Sequence, residues 1–330
     1  MSLGPFRLDP VFLSKVWAAP EIAGPLGPVL AAPQRTGEVW LASDRHSITR
    51  AAESPWTPEA MSLGLDEICR RWPAELLGPD HAGASGFPLL IKILSVGDWL
   101  SVQVHPDDEA ARSLENEPWG KSEAWLILGA DDGAEIVMGL KPGMDRDKVQ
   151  EAVVQGRMPQ VLAKVPARQG EVFHLPAGMV HATGPGLTIF EIQQASDVTY
   201  RFYDWDRPGD DGKPRELHVN KALQAMQAEG PGQPSQPKEL TGPPNRVSLL
   251  VDDPHFALIK AELEEPYQLF WAQPALRLLF VLNGSGSLSW DQQEFQIKPG
   301  QTWCLPHGLD GLAVQPSPSI SLLESIALPA

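Results

Sequence analysis

The sequence contains one short pattern twice, and this repeat constrains the fold more than any other feature does. Residues 170–182 read GEVFHLPAGMVHA and residues 300–312 read GQTWCLPHGLDGL, so each copy has a glycine, five residues, a proline and a turn. Each copy also follows a similar apolar segment, AWLILG at 124–129 and LLFVLNG at 278–284. The repeat predicts two copies of one structural unit in the chain.

The segments around both copies are short and apolar, as strands are. The chain has 33 prolines and 29 glycines, which favours frequent turns over long helices. A glycine, five residues and a proline before a turn are typical of double-stranded β-helix barrels, the cupins. We therefore predict a mainly β protein with two cupin-type (jelly-roll) barrels. Segments that fit strands lie at residues 37–43, 87–95, 99–105, 124–129, 135–140, 170–176 and 186–194.

Helical patterns are fewer and belong to the N-terminal part of the chain. Residues 228–245 are rich in Pro, Gly, Ser and Gln, which is typical of a linker. We expect a first domain over residues 1–240, with a few helices packed around its barrel, and a second, degenerate barrel over residues 246–330. The predicted helices lie at residues 57–72, 106–114, 145–158 and 218–229.

Composition excludes several classes of function. The net charge is −16 and no dense basic run occurs, which argues against a nucleic-acid partner. No stretch approaches the roughly 18 apolar residues of a membrane span, and the N-terminus lacks the apolar core of a signal peptide. The two cysteines, Cys69 and Cys304, form no CxxC motif. We expect a soluble cytoplasmic protein, and the sequence leaves its oligomeric state open.

Polar side chains alternate along the predicted strand at 99–105. Ser101, Gln103 and His105 share one face, while the residues between them are apolar. This face either meets water on a half-exposed strand or lines a barrel with metal ligands. Glu123, which opens another strand, and His181, which follows the turn of the first repeat, favour the second interpretation. Imidazole nitrogens with carboxylate and amide oxygens suit Zn²⁺, and also Mn²⁺, Co²⁺ or Fe²⁺.

The second repeat lacks this ligand set, because Gly311 stands where His181 stands in the first. We therefore expect no metal in the second barrel. Of the other histidines, His174 is expected beside the site or in the core. The rest are expected to be surface or structural residues: His46, His81, His218, His255 and His307.

Charged residues accompany the predicted ligands. Lys121 lies two residues before Glu123 and should point to the same side of the strand. Arg201 follows the strand that carries Glu191, and Asp197 precedes Arg201 by four residues. A cation beside a metal can hold phosphate or stabilise an oxyanion. The alternative for Asp197 and Arg201 is a surface ion pair with each other.

Taken together and in order, several motifs resemble those of type I mannose-6-phosphate isomerases (phosphomannose isomerases), in their short bacterial form. The resemblance is strong over residues 5–225 and weaker in the second barrel. One departure is that the chain has little room for the large helical domain of longer members. Another is that Arg45 and His46 replace residues usual in the segment after GEVWLAS. The matching motifs are LSVQVHPDD, GKSEAW, LPAGMVHATGPG, EIQQASDVTYRFYDWDR and GKPRELH.

The resemblance implies a zinc-dependent cupin enzyme that interconverts mannose 6-phosphate and fructose 6-phosphate through a cis-enediol, with one Zn²⁺ per chain. It implies a catalytic arginine and lysine at Arg201 and Lys121, and a substrate-binding role for both residues. Pocket acids at Glu191 and Asp197 and a substrate-side hydroxyl at Ser101 complete the implied site. The implied metal ligands are Gln103, His105, Glu123 and His181.

Two assignments stay open at this point. The proton could be moved by a metal-bound water, by Lys121, or by Asp197 or Glu191. The phosphate could be held by any of several nearby residues: Ser101, Lys121, Arg201, Arg207 and Arg215.

Two other functions are compatible with a cupin. One is a non-catalytic cupin that binds a sugar or sugar phosphate as a regulator, although such a protein would not need Lys121 and Arg201. The other is an iron-dependent dioxygenase, which Gln103 and the missing His-x-His argue against. An isomerase acting on a hexose 6-phosphate remains the leading hypothesis.

Overall fold

The computed structural model describes residues 3–79, 86–209, 212–228, 230–269 and 273–328. Strands dominate these ranges, so the prediction of a mainly β protein is confirmed. His81 lies outside the described residues. Within those ranges, no helix has the length and apolar character needed to cross a membrane.

The strands that precede the predicted linker in the chain are β1 (Phe6–Asp9), β2 (Val11–Ser14), β3 (Thr36–Ala42), β4 (Arg50–Glu53), β5 (Leu89–Val96), β6 (Val102–Val104), β7 (Glu123–Ala130), β8 (Glu135–Leu140), β9 (Leu162–Pro166), β10 (Val172–Leu175), β11 (His181–Thr183), β12 (Leu187–Gln194) and β13 (Tyr200–Tyr203). The strands that come later in the chain are β14 (Lys238–Thr241), β15 (Arg246–Asp252), β16 (Phe256–Leu263), β17 (Tyr267–Gln268), β18 (Arg277–Trp290), β19 (Gln293–Ile297), β20 (Thr302–Leu305) and β21 (Ala313–Ala327). The α-helices are α1 (Leu26–Leu30), α2 (Leu65–Arg71), α3 (Pro73–Leu77), α4 (Asp108–Glu115), α5 (Arg146–Val154) and α6 (Val219–Ala225). Two short 3₁₀ turns lie at Pro58–Ala60 and Met158–Gln160.

The first unit is built from two antiparallel sheets. One has the strand order β10-β7-β12-β5-β3-β2 and the other β13-β6-β11-β8-β9. Their inner faces pack on each other through residues such as Leu94 and Ile127 from the first sheet and Ile136 from the second. The period of two along each strand then sends Lys92 and Glu191 into the same interior, which places charged groups inside the unit.

The second unit is one continuous ten-stranded sheet that encloses its own core. Its main path is β14-β15-β16-β21-β18-β20-β1-β4, with β17 paired to β21 and β19 to β18. The two longest strands, β18 and β21, change register near Gly284. Gly284 has φ +78°, and a Cβ there would lie 2.2 Å from the Ser319 carbonyl oxygen, so only glycine fits this bend. Strands β1 and β4 join this sheet, so its pairing crosses the predicted domain boundary near residue 240.

The helices are shorter than the sequence predicted. The helix expected over residues 57–72 is wrong as one element: a 3₁₀ turn precedes α2, because Gly64 bridges Arg50 in extended backbone. Helices α4 and α5 begin at predicted places, where Asp107 and Asp145 accept hydrogen bonds from backbone amides. Helix α6 ends at Ala225, before the predicted end at 229.

The predicted linker is partly ordered structure. Residues 238–241 form strand β14, which pairs with β15. Upstream, the Gly232 amide donates to the Met138 carbonyl at 3.0 Å, and the Ser235 amide to Val172 at 2.7 Å. The segment is therefore bound along the first unit, and its composition alone did not reveal these backbone contacts.

The two units share a core at their contact. Outward residues of the first sheet pack on outward residues of the second unit, and the rings of Phe190 and Phe280 lie 5.7 Å apart there. Phe190 is 0% exposed. Helices α5 and α6 cover the opposite side of the first unit through Val149 and Ala222.

We expect Phe190→Ala to lower the free energy of unfolding by about 3–5 kcal/mol, because it leaves a cavity between the two units. Urea denaturation followed by tryptophan fluorescence measures the effect. The control Val154→Ala truncates a side chain that is 81% exposed and should change stability by less than about 0.5 kcal/mol. Equal stability of the two variants would contradict this account of the core.

Candidate metal centre and adjoining pocket

Three buried side chains from separate strands converge inside the first unit. His105 follows β6, Glu123 begins β7 and His181 begins β11, and one ligating atom from each lies within 4.8 Å of the others. All three residues are at most 1% exposed. The convergence follows from strand pairing, since His181 faces Gln103 across β6 and β11. The structure thus brings the predicted ligands together.

Backbone carbonyls set the orientation of both imidazoles. Nδ1 of His105 donates to the Val198 carbonyl at 2.8 Å, and Nδ1 of His181 donates to the Met179 carbonyl at 2.9 Å. Because a carbonyl oxygen can only accept, each Nδ1 carries a proton. Burial, and then the charge of Lys121, hold the pKa of His105 well below its usual range. Its Nε2 therefore presents a lone pair to the cluster, as metal-binding histidines do.

Glu123 is an anion at the centre of this cluster. Burial opposes its ionisation, but the charge of Lys121 holds the pKa of Glu123 well below its usual range. Lys121 Nζ lies 2.9 Å from Oε2 and His181 Nε2 lies 3.1 Å from Oε1. Even so, neither carboxylate oxygen has a hydrogen bond of acceptable geometry among the described residues. A buried carboxylate left this way is costly unless a cation binds it.

Gln103 can supply a fourth ligand, its amide oxygen. Its Nε2 lies 3.4 Å from His105 Nε2 and 3.3 Å from His181 Nε2, while its Oε1 accepts from Ser101 Oγ. Rotating the Gln103 amide by half a turn exchanges the positions of Oε1 and Nε2, so that Oε1 faces the imidazole nitrogens. Two imidazoles, a carboxylate and an amide oxygen then surround one point. This donor set fits Zn²⁺ or a similar divalent ion.

A cavity of about 190 Å³ adjoins the cluster. The residues that the resemblance implies as catalytic or substrate-binding line it, which places them beside the predicted metal ligands. They are Ser101, Lys121, Glu191, Asp197 and Arg201, together with Gln103.

The ion pair offered as an alternative role for two of these residues does not form. Among the described residues, Asp197 has its ion pair with His46, at 3.6 Å, rather than with Arg201. The buried Nε of Arg201 has no hydrogen-bond partner in the part of the chain that the structure describes. Burial, and then the like charge of Arg215, lower the pKa of Arg201. Both arginines line the cavity, so this wall favours an anion.

Asp204 holds the neighbouring arginines in place. It accepts from Arg215 Nε at 2.6 Å and from Arg207 Nη2 at 2.9 Å. Arg215, named from sequence as a phosphate-binding candidate, lines the cavity. Arg207, another such candidate, is outside the residues that line it and pairs with Asp98 as well.

Sequence reasoning missed Lys92. Its Nζ lies 3.2 Å from Glu191 Oε1 and 5.2 Å from the centre of the Trp40 ring. Burial acts to lower the pKa of Lys92, but Glu191 and Glu38 raise it above the ordinary value. The only hint in the sequence was a single charged residue in the apolar segment FPLLIKILS. By itself this segment fits a buried strand. Other residues that line the cavity but were not predicted from sequence are Lys15, Trp17, Glu38 and Trp40.

The second unit reaches the ligand strand through Asp253. This carboxylate accepts from Ser122 Oγ at 2.7 Å and bonds His174 Nε2 at 2.8 Å. Ser122 separates Lys121 from Glu123, so Asp253 fixes the backbone between them. His174 therefore lies beside the site, as expected, and outside the ligand cluster.

We expect Asp253→Ala to lower the free energy of unfolding by about 1–3 kcal/mol, because it removes the acceptor of Ser122, a buried donor. Chemical denaturation provides the measurement. The adjacent Asp252 is exposed, so Asp252→Ala serves as the matched control and should shift stability by less than about 0.5 kcal/mol. Indistinguishable variants would mean that Asp253 does not tie the units together.

Sequence comparisons identify relatives of this chain. A family model described as the catalytic domain of phosphomannose isomerase type I matches residues 6–122. The mannose-6-phosphate isomerase of Streptococcus mutans is 31% identical over 91% of this chain and 93% of its own length. The mannose-6-phosphate isomerase ManA of Bacillus subtilis is 32% identical over 94% of this chain and 95% of its own length.

Solved structures agree with these relatives. The crystal structure of the Bacillus subtilis mannose 6-phosphate isomerase superposes with a TM-score of 0.84 at 27% identity, covering 98% of this chain and 99% of that one. A zinc-bound mannose 6-phosphate isomerase has the same fold, with a TM-score of 0.76 at 14% identity and coverage of 99% and 100%. The predicted cupin-type fold is confirmed by this likeness. From its sequence relatives and its fold, the chain belongs to the type I phosphomannose isomerase family.

Proposed function

We propose that the protein is a metal-dependent aldose–ketose isomerase that interconverts mannose 6-phosphate and fructose 6-phosphate. The observation that carries the proposal is the buried cluster of His105, Glu123 and His181, which opens on a pocket containing Lys121 and Arg201. The names of the relatives at 31% and 32% identity support the same activity.

We propose one Zn²⁺ per chain, held by His105, Glu123, His181 and the amide oxygen of Gln103. The zinc reported for a solved isomerase of the same fold supports the choice of ion. When bound, such an ion supplies Lewis acidity that polarises substrate oxygens. The neutral His105 imidazole and the ionised Glu123 carboxylate are already in the protonation states that binding requires.

Isomerisation moves a proton between C2 and C1 of the open-chain sugar, and negative charge develops on O1 and O2 along the cis-enediol. Lys121 reaches the cluster from one side, with Nζ 3.1 Å from His105 Nε2. Arg201 lines another part of the cavity, and its Nε has no hydrogen-bond partner within the described ranges. Fixed positive groups at these positions stabilise the developing charge without reorganising during the reaction.

Two carboxylates in the pocket serve as proton-carrying groups in this proposal, and their surroundings differ. Glu191 is held at both oxygens, by Lys92 at 3.2 Å and by Trp125 Nε1 at 2.9 Å. Asp197 is partly exposed and has a looser contact with His46 at 3.6 Å. Comparing solvent-proton exchange at C2 in Glu191→Gln and Asp197→Asn identifies the acceptor, because the variant without it loses exchange.

The phosphate group is assigned to the arginine wall. Arg201 and Arg215 are neighbours of like charge, and Asp204 neutralises Arg215 only in part, because it is shared with Arg207. A phosphate carries enough charge to engage both cavity arginines. Ser101, also on the cavity wall, can donate its hydroxyl to the sugar.

We expect His181→Ala to lower bound metal well below one ion per chain and to reduce kcat/KM for mannose 6-phosphate by about a hundredfold or more. His174→Ala removes a histidine beside the site and is the matched control. Metal content by mass spectrometry and a coupled isomerase assay measure both effects. Full activity in the His181→Ala protein would contradict the proposal.

We expect Arg215→Met to raise KM for mannose 6-phosphate by about ten- to a hundredfold, because it removes charge-assisted hydrogen bonds to the phosphate. Arg207→Met is the control, since it removes another partner of Asp204 outside the cavity lining. Steady-state kinetics of both variants, with glucose 6-phosphate as comparator substrate, make the comparison. If both variants changed KM equally, the two arginines would act by stabilising the loop and not by binding phosphate.

The alternative functions receive less support. A non-catalytic sugar-binding regulator is not supported by the relatives, which are named as isomerases. Ligand binding with no turnover on any hexose 6-phosphate would favour it. Oxygen consumption by an iron-loaded protein would favour the dioxygenase.

A further inference from the structure

The strand pairings place both units in a common register. In the first unit Leu175 faces Glu123, and in the second Leu305 faces Arg277. Leu175 and Leu305 hold the same place in the repeated pattern. Arg277 therefore occupies the position that corresponds to the metal-cluster carboxylate Glu123.

A second pair of corresponding positions lies two residues further along β7 and β18. Glu191 faces Trp125 in the first unit, and Glu324 faces Leu279 in the second. Glu324 thus corresponds to the pocket residue Glu191. In the second unit the two substituted positions meet, since Arg277 Nη1 lies 3.1 Å from Glu324 Oε1.

The second unit keeps an open pocket at this place. A cavity of about 270 Å³ is lined by Arg277 and by Gly311, which corresponds to His181. Gly311 thus contributes no side chain to the lining, where His181 carries an imidazole in the first unit. The remaining lining is mostly apolar or uncharged and includes Gln268, Leu269, Ala275 and Leu309.

Arg277 has hydrogen-bonding capacity left over for a ligand. It is 5% exposed, and within the ranges that the structure describes its hydrogen-bond partner is Glu324. A guanidinium has five N–H donors, so several remain for a ligand in the cavity that Arg277 lines. Glu324, also 5% exposed, is outside the residues that line this cavity and acts as the partner of Arg277. A buried guanidinium with this much spare donor capacity at a cavity indicates a ligand site more than a structural ion pair.

The charge balance selects the class of ligand. Glu324 already neutralises Arg277, and Asp310 at the rim adds a negative charge. This excess of negative charge disfavours a phosphate. Neutral hydroxyl groups can accept from Arg277 and donate to Asp310, while Leu269 and Leu309 can pack against C–H groups. We propose that the second unit binds an unphosphorylated monosaccharide in this pocket, separately from the isomerase site.

The experiment is a titration of the full-length protein with D-mannose, D-fructose and D-glucose, followed by calorimetry and by the NMR signal of an arginine side-chain Nε–H. We expect one of these sugars to bind, and His181→Ala to leave that binding intact. Arg277→Met should weaken it about tenfold or more through the lost hydrogen bonds.

A blocking variant keeps the test valid if Arg277→Met does not fold. Gln268 is exposed at the cavity, so Gln268→Trp should obstruct the pocket without disturbing the core. The matched control Gln296→Trp adds the same ring at an exposed position on β19 and should bind sugar normally. Absence of binding by the unaltered protein at up to about 100 mM sugar would overturn the proposal. Binding lost in His181→Ala and retained in Gln268→Trp would also overturn it, by assigning the sugar to the isomerase site.

Discussion

The buried Glu123 carboxylate is the constraint on which the first unit depends. It lies 0% exposed, faces two imidazoles and a lysine, and lacks a well-formed hydrogen bond among the described residues. Such a group is stable only when its surroundings are organised to compensate its charge. The carbonyls that orient His105 and His181, and the position of Lys121, meet this requirement. They leave the lone pairs and the carboxylate directed at a single point, which a divalent cation would complete.

The second unit has a different charged pair at the corresponding positions. The Arg277 guanidinium stands where Glu123 stands in the first unit, and Glu324 balances its charge. This unit also supports the first one directly, since Asp253 bonds Ser122 between Lys121 and Glu123. The first unit thus carries the proposed chemistry. The second unit stabilises the ligand strand of the first and contains a separate pocket.

Sequence patterns predicted the cluster well because its members lie on local features: alternation along a strand for Gln103 and His105, and the repeated turn for His181. The sequence patterns missed the side-chain contacts that depend on the pairing of strands distant in the sequence. Lys92 meets Glu191 only because β5 and β12 pair, and Arg277 meets Glu324 only because β18 and β21 pair. The composition of residues 228–245 likewise indicated a linker. The backbone hydrogen bonds of this segment to Met138 and Val172 cannot be predicted from composition. Pairing partners distant in sequence leave no local signal.

The central claim is that the proposed isomerase activity depends on one ion bound at the Glu123 cluster. Chelated protein titrated with Zn²⁺, with bound metal and turnover of mannose 6-phosphate measured on the same samples, tests it most directly. The account predicts activity that rises in proportion to bound zinc and saturates at one ion per chain. Full turnover by protein free of metal would contradict it.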